Sequence, residues 1–272
     1  MKVLVVQNNA KLNDKNANFD KVEKLLEPYL NVETDLIVLP EVWAVGWDCS
    51  LFKEAAEPSG DCPTIEFLKY IAYHHEALVV GGSYIRQTAD GEYKNTCPVI
   101  SNDGQVIALY DKMHLFSHKG SQEQNYVSPG DNLLMLNLGY TKIGLTVCYD
   151  IRFPEIFRQY SQNGAEILIN TAAWGKNKLM HWEIMQKARA IENQCYMIAA
   201  DQTGLIKNDE YNLGHSMVIT PWGDIAGELE EEEGCILADL DLEKLRTLRK
   251  DFPLLADRRN QVFNIKEINI YE

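Results

Sequence analysis

Gly144-Leu-Thr-Val-Cys148-Tyr-Asp-Ile-Arg-Phe-Pro154-Glu155 is the stretch that decides the fold of this chain. Its apolar start predicts a strand over 143–147, and Pro154 predicts a helix start, because proline lacks the N–H that a first helical position leaves without a partner. Cys148 therefore lies between a strand end and a helix, where thiolates are stabilised and backbone N–H groups can converge on one point. Taken alone, such a cysteine is more often a buried structural residue.

Two strand ends upstream carry further ionisable side chains. The apolar run 36–39 is followed by Pro40 and Glu41, and the apolar run 106–109 is followed by Tyr110-Asp-Lys-Met-His-Leu-Phe116, which contains Lys112. Each alone is a weak signal, since charged residues at strand ends are mostly solvated. Together, three strand ends supply a carboxylate, an ammonium group and a thiol in that order.

In this order and with these flanking residues, the segments resemble the carbon–nitrogen hydrolase (nitrilase) superfamily from Val3 to about Arg259. The resemblance implies an α/β fold, a four-layer α-β-β-α sandwich with mixed sheets. It also implies a catalytic triad of Glu41 as general base, Lys112 as a charge that lowers the thiol pKa and binds the oxyanion, and Cys148 as nucleophile. The backbone N–H of Tyr149 is implied as a second oxyanion donor. These roles suit amide hydrolysis, which needs a nucleophile, a proton shuttle and oxyanion donors.

Three more residues are candidates for substrate positioning. Glu123, in the polar segment 117–132, resembles the second glutamate of the family, although a surface-loop carboxylate is an equal alternative. Trp174 follows a predicted strand end and is expected to line the substrate pocket. Arg152 could bind a substrate carboxylate, but its place at the start of a helix favours a structural ion pair, and Asp150 is expected to be structural as well.

The remaining pattern predicts alternating strands and helices with hairpins, which favours a mixed-sheet layered domain. Helices are expected over 16–30, 64–77 and 180–193, the last with Ile184 and Ile191 on its apolar stripe. A strand is expected over 78–85, with Gly81-Gly82 inside it permitting a bulge or a close backbone approach. We expect a single domain over residues 1–272, with a C-terminal tail from about residue 260.

Composition excludes several classes of function. The 272 residues carry a net charge of −14, which argues against a nucleic-acid partner, because such partners require a basic face. The start is too short for a signal peptide, and no apolar run approaches the roughly 20 residues that span a bilayer. The six cysteines contain no C-x-x-C pair. We therefore expect a cytoplasmic protein with reduced thiols and without membrane partners.

Neither a metal nor a cofactor is expected. His114 and His118 have metal-like spacing but lack the intervening glutamate and the helix of a zinc protease motif. The segment Gly214-His-Ser-Met-Val218 lacks the last glycine of a serine-hydrolase elbow, which disfavours that class. No phosphate-binding glycine loop is present.

Three downstream blocks, at 181–183, 189–194 and 214–223, look most like the Nit-type branch of the superfamily. That resemblance implies an omega-amidase, which cleaves the terminal amide of a small dicarboxylic or 2-oxo acid monoamide such as 2-oxoglutaramate through a cysteine thioester. Deaminated glutathione, carbamoyl compounds and nitriles are alternative substrates, and a non-catalytic interaction protein is an alternative of another class. The resemblance further implies a homodimer, with 155–160 and the C-terminal tail as the candidate interface.

Overall fold

The computed structural model describes residues 1–58, 62–118 and 121–259. The strands in these ranges are β1 Lys2–Gln7, β2 Leu36–Val38, β3 Glu57–Pro58, β4 Leu78–Val80, β5 Tyr84–Gln87, β6 Tyr93–Ile100, β7 Val106–Asp111, β8 Ser117–His118, β9 Ser121–Gln122, β10 Met135–Asn137, β11 Lys142–Val147, β12 Ile167–Ala172, β13 Tyr196–Asp201, β14 Thr203–Lys207, β15 Glu210–Leu213, β16 Met217–Ile219, β17 Ile225–Glu228 and β18 Gly234–Asp239. The α-helices are α1 Lys15–Leu26, α2 Phe52–Ala55, α3 Pro63–His74, α4 Pro154–Gln162, α5 Leu179–Asn193 and α6 Leu242–Asp251. Short 3₁₀ helices span Glu27–Tyr29, Cys49–Leu51, Glu123–Asn125, Cys148–Arg152 and Lys176–Lys178.

Two mixed sheets form the centre of the fold. The first has the order β18-β1-β2-β4-β6-β5-β3, with β7 also paired to β6, and its strands β1, β2 and β4 are parallel. The second has the order β10-β11-β12-β13-β16-β17, with β11, β12 and β13 parallel. In each sheet the parallel strands end at one edge, which brings the residues that follow them close together.

The alternation along β1 shows how the layers are built. Val3 and Val5 join a core cluster that also contains Val147 of β11, so one face of the first sheet packs on the second sheet. Leu4 and Val6 point the other way, into a cluster shared with α1 and α3. Because side chains alternate between the two faces of a strand, a strand that is buried on both faces is continuously apolar.

The outer face of the second sheet is covered by α4 and α5. Phe157 of α4 and Trp182 of α5 are fully buried in the same cluster as the strands of that sheet. The order of layers is therefore helix, sheet, sheet, helix, and the predicted α-β-β-α sandwich is confirmed.

The predicted strand 78–85 is in fact two strands, β4 and β5, separated at Gly81–Ser83. Gly82 has φ +67, and a Cβ placed there would lie 1.8 Å from the carbonyl oxygen of Pro40. A backbone approach this close leaves no room for a side chain, and it interrupts the strand. The expected close approach is correct, and it supports the residue before Glu41.

The apolar stripe expected on α5 is wrong. Ile184 and Ile191 are 59% and 49% exposed, whereas Gln186 and Arg189 are buried. The buried polar side chains have partners, since Gln186 donates to Asn170 and Arg189 donates to the carbonyl oxygen of Ile151. The inner face of α5 therefore combines apolar Trp182 and Ala190 with hydrogen-bonded polar side chains, and apolar periodicity does not reveal the polar part.

None of the helices in residues 1–58, 62–118 and 121–259 has the length and apolar character needed to cross a bilayer. The C-terminal tail expected from about residue 260 lies outside the described residues. A single domain over the whole chain remains a prediction.

Replacing Gly82 with alanine tests the close approach to Pro40. The variant Gly91→Ala is a matched control, because Gly91 also has a positive φ, +85, but has nothing within 4 Å of its Cβ position. Both variants lose about 1–2 kcal/mol from the left-handed backbone. We expect Gly82→Ala to lose a further ~1–3 kcal/mol of unfolding free energy through overpacking, measured by urea denaturation. Equal losses for the two variants would contradict this account.

Candidate active site

The predicted triad residues lie at neighbouring strand ends. Glu41 follows β2, Lys112 follows β7 and Cys148 follows β11. The Nζ atom of Lys112 lies 2.8 Å from Oε1 of Glu41, and both side chains are completely buried. The Cys148 thiol is within hydrogen-bonding reach of Glu41 and within the electrostatic range of Lys112. The structure thus brings together the three residues predicted from separate segments.

Glu123 joins the same cluster. Its Oε2 atom lies 2.8 Å from Nζ of Lys112 and accepts a hydrogen bond from the backbone N–H of Phe116, also at 2.8 Å. The side chain has no exposed area, so the alternative of a surface-loop carboxylate is wrong. The short 3₁₀ helix Glu123–Asn125 carries this residue inward from a segment that the sequence predicts as a polar loop.

Several donors fix the Glu41 carboxylate. The Asn95 amide donates to Oε1 at 2.8 Å and also reaches Oε1 of Glu123 at 3.0 Å, so that it bridges the two carboxylates. The backbone N–H of Ala173 donates to Oε2 of Glu41 at 3.0 Å, and the Gln202 amide donates to the Glu41 carbonyl oxygen at 2.6 Å. With both oxygens held, the carboxylate has a defined orientation toward the thiol.

Asn95 and Gln202 were not predicted from the sequence. Asn95 lies within β6, where asparagine is unusual because it is depleted in strands, but it stands between Lys94 and Thr96 and is not marked out as a buried residue. Gln202 follows directly after β13, at the same sheet edge as Trp174. Its role depends on a partner 161 residues away, which no local pattern reveals.

Two of the eight non-glycine residues with a positive φ in the described ranges lie at or next to triad residues. Cys148 has φ +47 and Val42, next to Glu41, has φ +41. The left-handed conformation is unusual for any side chain other than glycine and is an outlier for a β-branched one. The Val42 backbone N–H donates to Oγ of Ser83 at 3.0 Å, a contact that helps to hold this conformation. Strain of this kind is typical of functional sites.

Asp150 anchors the turn that carries Cys148. Its fully buried carboxylate accepts hydrogen bonds from the Tyr110 hydroxyl at 2.7 Å, the His114 backbone N–H at 2.9 Å and the Val147 backbone N–H at 3.0 Å. The Nδ1 atom of His114 lies 2.8 Å from the same carboxylate. Asp150 therefore joins the segment after β7 to the nucleophile turn, in agreement with the structural role expected for it.

The ionisation of the cluster differs from the expectation for Cys148. Burial, and then the charge of Glu41, raise the pKa of the Cys148 thiol well above its ordinary value, and Lys112 offsets this only in part. Burial also raises the pKa of Glu41. The pKa of Lys112 is raised as well: burial lowers it, but the charges of Glu123 and Glu41 outweigh that effect. The charge of Lys112 therefore lowers the thiol pKa as expected, but burial and Glu41 outweigh it, so the net shift is upward.

A cleft of about 840 Å³ opens above Cys148. Trp174 forms part of its wall and is fixed by its backbone N–H, which donates to Oδ1 of Asp201 at 2.7 Å. The Arg152 guanidinium lies 4.9 Å from the Trp174 ring centroid and also borders the cleft. No carboxylate in the described part of the chain forms an ion pair with Arg152, so the structural ion pair expected there is wrong.

One group of side chains elsewhere has the spacing of a metal site. Glu183, His215 and Glu228 offer ligand atoms within 4.8 Å of one another. The Nδ1 atom of His215 lies 3.5 Å from Oε1 of Glu228, and Glu228 is partly exposed. An ordinary histidine–carboxylate pair has the same geometry, and none of these side chains borders the cleft.

Comparisons with known proteins agree with the fold. A family model described as carbon-nitrogen hydrolase matches residues 2–250. The 2-oxoglutaramate amidase of Bacillus subtilis (strain 168) is 35% identical over 90% of this chain and 93% of its own length. The omega-amidase NIT2 of Xenopus tropicalis is 32% identical over 93% of both chains. The crystal structure of Nit3 from Saccharomyces cerevisiae, a member of branch 10 of the nitrilase superfamily, has a TM-score of 0.87 at 29% identity, covering 95% of this chain and 96% of that one.

Replacing Lys112 with methionine tests the charge balance of the cluster. Removing the ammonium leaves two buried carboxylates unpaired, and we expect a loss of about 3–5 kcal/mol in unfolding free energy. The loss should be smaller at pH 5 than at pH 8. The reason is that a carboxyl whose pKa is raised by folding takes up a proton at the lower pH, which removes the buried charge.

Two further variants complete the stability test. In Lys112→Met with Glu123→Gln, one of the repelling carboxylates is removed, so the double variant should be more stable than Lys112→Met alone, by about 1 kcal/mol or more. Lys176→Met removes a lysine whose ion pair with Glu231 is solvent-exposed, and it should change stability little. A double variant less stable than Lys112→Met would contradict the proposed balance of charges.

Proposed function

The chain belongs to the carbon–nitrogen hydrolase family and is an amidase, and on that premise we propose that it releases ammonia from the terminal amide of a small dicarboxylic or 2-oxo acid monoamide. The relatives named 2-oxoglutaramate amidase and omega-amidase support this substrate class. The observation that carries the proposal is the buried cluster of Glu41, Lys112 and Cys148 beneath a cleft that also contains an arginine without a counter-ion. The cluster contains the groups that amide hydrolysis needs, and the arginine can bind the carboxylate of the substrate.

The first half of the reaction forms a thioester. As Sγ of Cys148 bonds to the amide carbon, Glu41 accepts the thiol proton and the carbonyl electrons move onto oxygen. The tetrahedral intermediate then collapses, the C–N bond breaks, and Glu41 returns the proton to the departing nitrogen, which leaves as ammonia. The raised pKa of the Cys148 thiol suits this sequence, because a thiol that keeps its proton brings into the site the proton that ammonia needs.

Lys112 and Tyr149 stabilise the oxyanion in this proposal. An ammonium group has three N–H donors, and Lys112 uses two of them on Glu41 and Glu123. The third donor remains for the negative oxygen of the intermediate. The backbone N–H of Tyr149 follows the left-handed Cys148 and is the second proposed donor. Donors fixed in a buried site stabilise developing charge strongly, because they need no reorganisation.

The second half hydrolyses the thioester. Glu41 accepts a proton from a water molecule as the water oxygen attacks the acyl carbon. A second tetrahedral intermediate collapses with cleavage of the C–S bond, and the acid leaves while the sulfur is reprotonated. The amide and one water have then become a carboxylic acid and ammonia, without a cofactor.

Arg152 is proposed to bind the carboxylate at the other end of the substrate. Its guanidinium is stacked on Trp174 and lies beside the cleft without a carboxylate partner among the described residues. The planar guanidinium can hold a carboxylate through two parallel hydrogen bonds. Trp174 then acts as a wall that orients the arginine, which gives this predicted pocket residue a specific function.

Other substrates of the superfamily remain alternatives to be tested. Deaminated glutathione, carbamoyl compounds and nitriles all contain a carbon that the same thiol could attack. The volume of the cleft is larger than a five-carbon acid requires, so the cleft could also hold a longer substrate. A non-catalytic interaction protein is disfavoured, because such a protein has no use for three buried charges held at the floor of a cleft.

We also propose that the protein is a homodimer that works in a reducing, cytoplasmic setting. A nucleophilic thiol needs a reduced form, and no disulfide joins the cysteines of the described ranges. The exposed face of α5 is the proposed interface, because Met180, Ile184 and Ile191 are 65%, 59% and 49% exposed and lie on one side of the helix. The exposed positions of α4 in the predicted interface 155–160 are polar, which makes α5 the better candidate.

Ammonia release tests the function. Wild-type enzyme should release ammonia from 2-oxoglutaramate and from succinamate, whereas Cys148→Ala should release none above background. Glu41→Gln should be slower by about 10²–10⁴-fold, since it cannot shuttle protons. Equal ammonia release by wild type and Cys148→Ala would exclude Cys148 as nucleophile. If the wild type releases no ammonia, these two amides are not its substrates, and the alternative substrates are tested next.

Light scattering tests the assembly. At micromolar concentration the wild type should have a mass near twice 31.0 kDa, and Ile184→Glu should shift the mass toward that of a single chain. Ile107→Glu is the matched control, because Ile107 is also exposed, at 51%, but lies on β7. A wild type of monomer mass, or a dimer broken only by Ile107→Glu, would exclude the α5 interface.

A further inference from the structure

The cleft contains a second positive charge without a counter-ion, Lys178. Four lysine and arginine side chains border the cleft, and two of them are paired: Lys176 lies 2.6 Å from Glu231, and Lys207 lies 2.5 Å from Asp48. Lys178 and Arg152 have no carboxylate within 4.0 Å among the residues that the structure describes. Uncompensated cations in a cleft attract anionic ligands.

Lys178 lines the same cleft as Cys148 and Arg152. Burial lowers the pKa of its ammonium group, and the charge of Arg152 lowers it further. The Nζ atom lies 5.8 Å from the Phe116 ring centroid, on the wall of the cleft. The ammonium is therefore half-buried in the cleft that Cys148 also lines and is repelled by the Arg152 guanidinium, an arrangement that a bound anion would relieve.

Trp174 couples the two cations in space. Its indole N–H donates to the backbone carbonyl of Lys178 at 3.1 Å, and its ring lies against the Arg152 guanidinium. One side chain thus fixes the backbone of the first cation and the head group of the second. Asp201 in turn fixes the Trp174 backbone N–H, so the arrangement is built into the end of β13.

We propose that Lys178 and Arg152 form a two-cation site for the 2-oxo acid end of the substrate, with Lys178 as the residue that selects the 2-oxo group. This inference rests on the proposed function and names its substrate class. The planar fork of Arg152 takes the carboxylate, and the compact ammonium of Lys178 donates to the 2-oxo oxygen and the nearer carboxylate oxygen. An acid without the 2-oxo oxygen gives up one of these charge-assisted hydrogen bonds.

The test compares two substrates that differ only in the 2-oxo group: 2-oxoglutaramate and glutaramate. For wild type and for Lys178→Met, kcat/KM is measured on both, and the ratio of the two values is the readout. We expect the ratio to favour 2-oxoglutaramate in the wild type and to fall about tenfold or more in Lys178→Met, mainly through KM. Melting temperatures confirm that the variants are folded.

Two controls separate recognition from structure. Lys176→Met removes a neighbouring lysine whose charge is already neutralised by Glu231, and it should keep the wild-type ratio within about twofold. Lys178→Arg keeps the charge and should retain most of the preference. A Lys178→Met enzyme with the wild-type ratio, or an equal fall in Lys176→Met, would overturn the proposal.

Binding measurements distinguish failure of this inference from failure of the proposed function. Calorimetry with 2-oxoglutarate and glutarate needs no turnover. If the wild type prefers 2-oxoglutarate and Lys178→Met does not, the two-cation site stands even if neither amide is hydrolysed. If the amides are hydrolysed but the preference for the 2-oxo group is absent from the wild type, the amidase function stands and the selective role of Lys178 is wrong.

Discussion

The ammonium of Lys112 lies between two carboxylates, and all three side chains are fully shielded from water. Removing such charges from water costs several kcal/mol per ion, so the cluster persists only because nearly every polar atom in it has a partner. Asn95 donates to both carboxylates, and the backbone N–H groups of Ala173 and Phe116 donate one further hydrogen bond each, to Glu41 and Glu123 respectively. Burial and the charge of Glu41 raise the pKa of the nearby Cys148 thiol, and the ammonium of Lys112 offsets this only in part. The requirement to hold this cluster explains the close approach at Gly82, the strained backbone at Val42 and the buried amide of Gln202.

The contents of the cleft divide into two parts with different demands. Its floor must hold a proton that moves from sulfur to carboxylate to nitrogen, so it is dry and densely hydrogen-bonded. Its wall must recognise an acid, so it presents Arg152 and Lys178, which have no carboxylate partner among the described residues. Trp174 stands between the two, because the residue before it donates to Glu41 while its own ring and indole N–H contact Arg152 and Lys178. Chemistry and recognition are therefore supported by one short segment after β12.

Much of the fold and the floor of the site could be predicted from the sequence. Glu41, Lys112 and Cys148 each follow an apolar run that is a strand in the structure, and parallel strand ends meet at one edge. The wall and the helix layer were harder to predict. Arg152 is expected to be paired from its place at a helix start, and only the surrounding side chains reveal that it has no carboxylate. On the buried face of α5, Gln186 and Arg189 are held by hydrogen bonds, whereas apolar periodicity predicts that the opposite face is buried. Asn95 and Gln202 act on residues distant in sequence, and no local pattern encodes such contacts.

The hydrogen bond from the Ala173 backbone N–H to Glu41 joins residues that are 132 positions apart. The two residues follow strands of two different sheets. A second bond, from the Glu41 N–H to the Ala172 carbonyl oxygen, joins the same two strand ends at 3.2 Å. Neither sheet alone contains a complete set of reacting groups, since Glu41 and Lys112 come from the first sheet and Cys148 comes from the second. Contacts so distant along the chain carry a high loop-closure cost, because a long loop must close before they gain any energy. The thiol therefore meets its base only when the two halves of the sandwich have docked, and a partly folded chain carries no reactive centre.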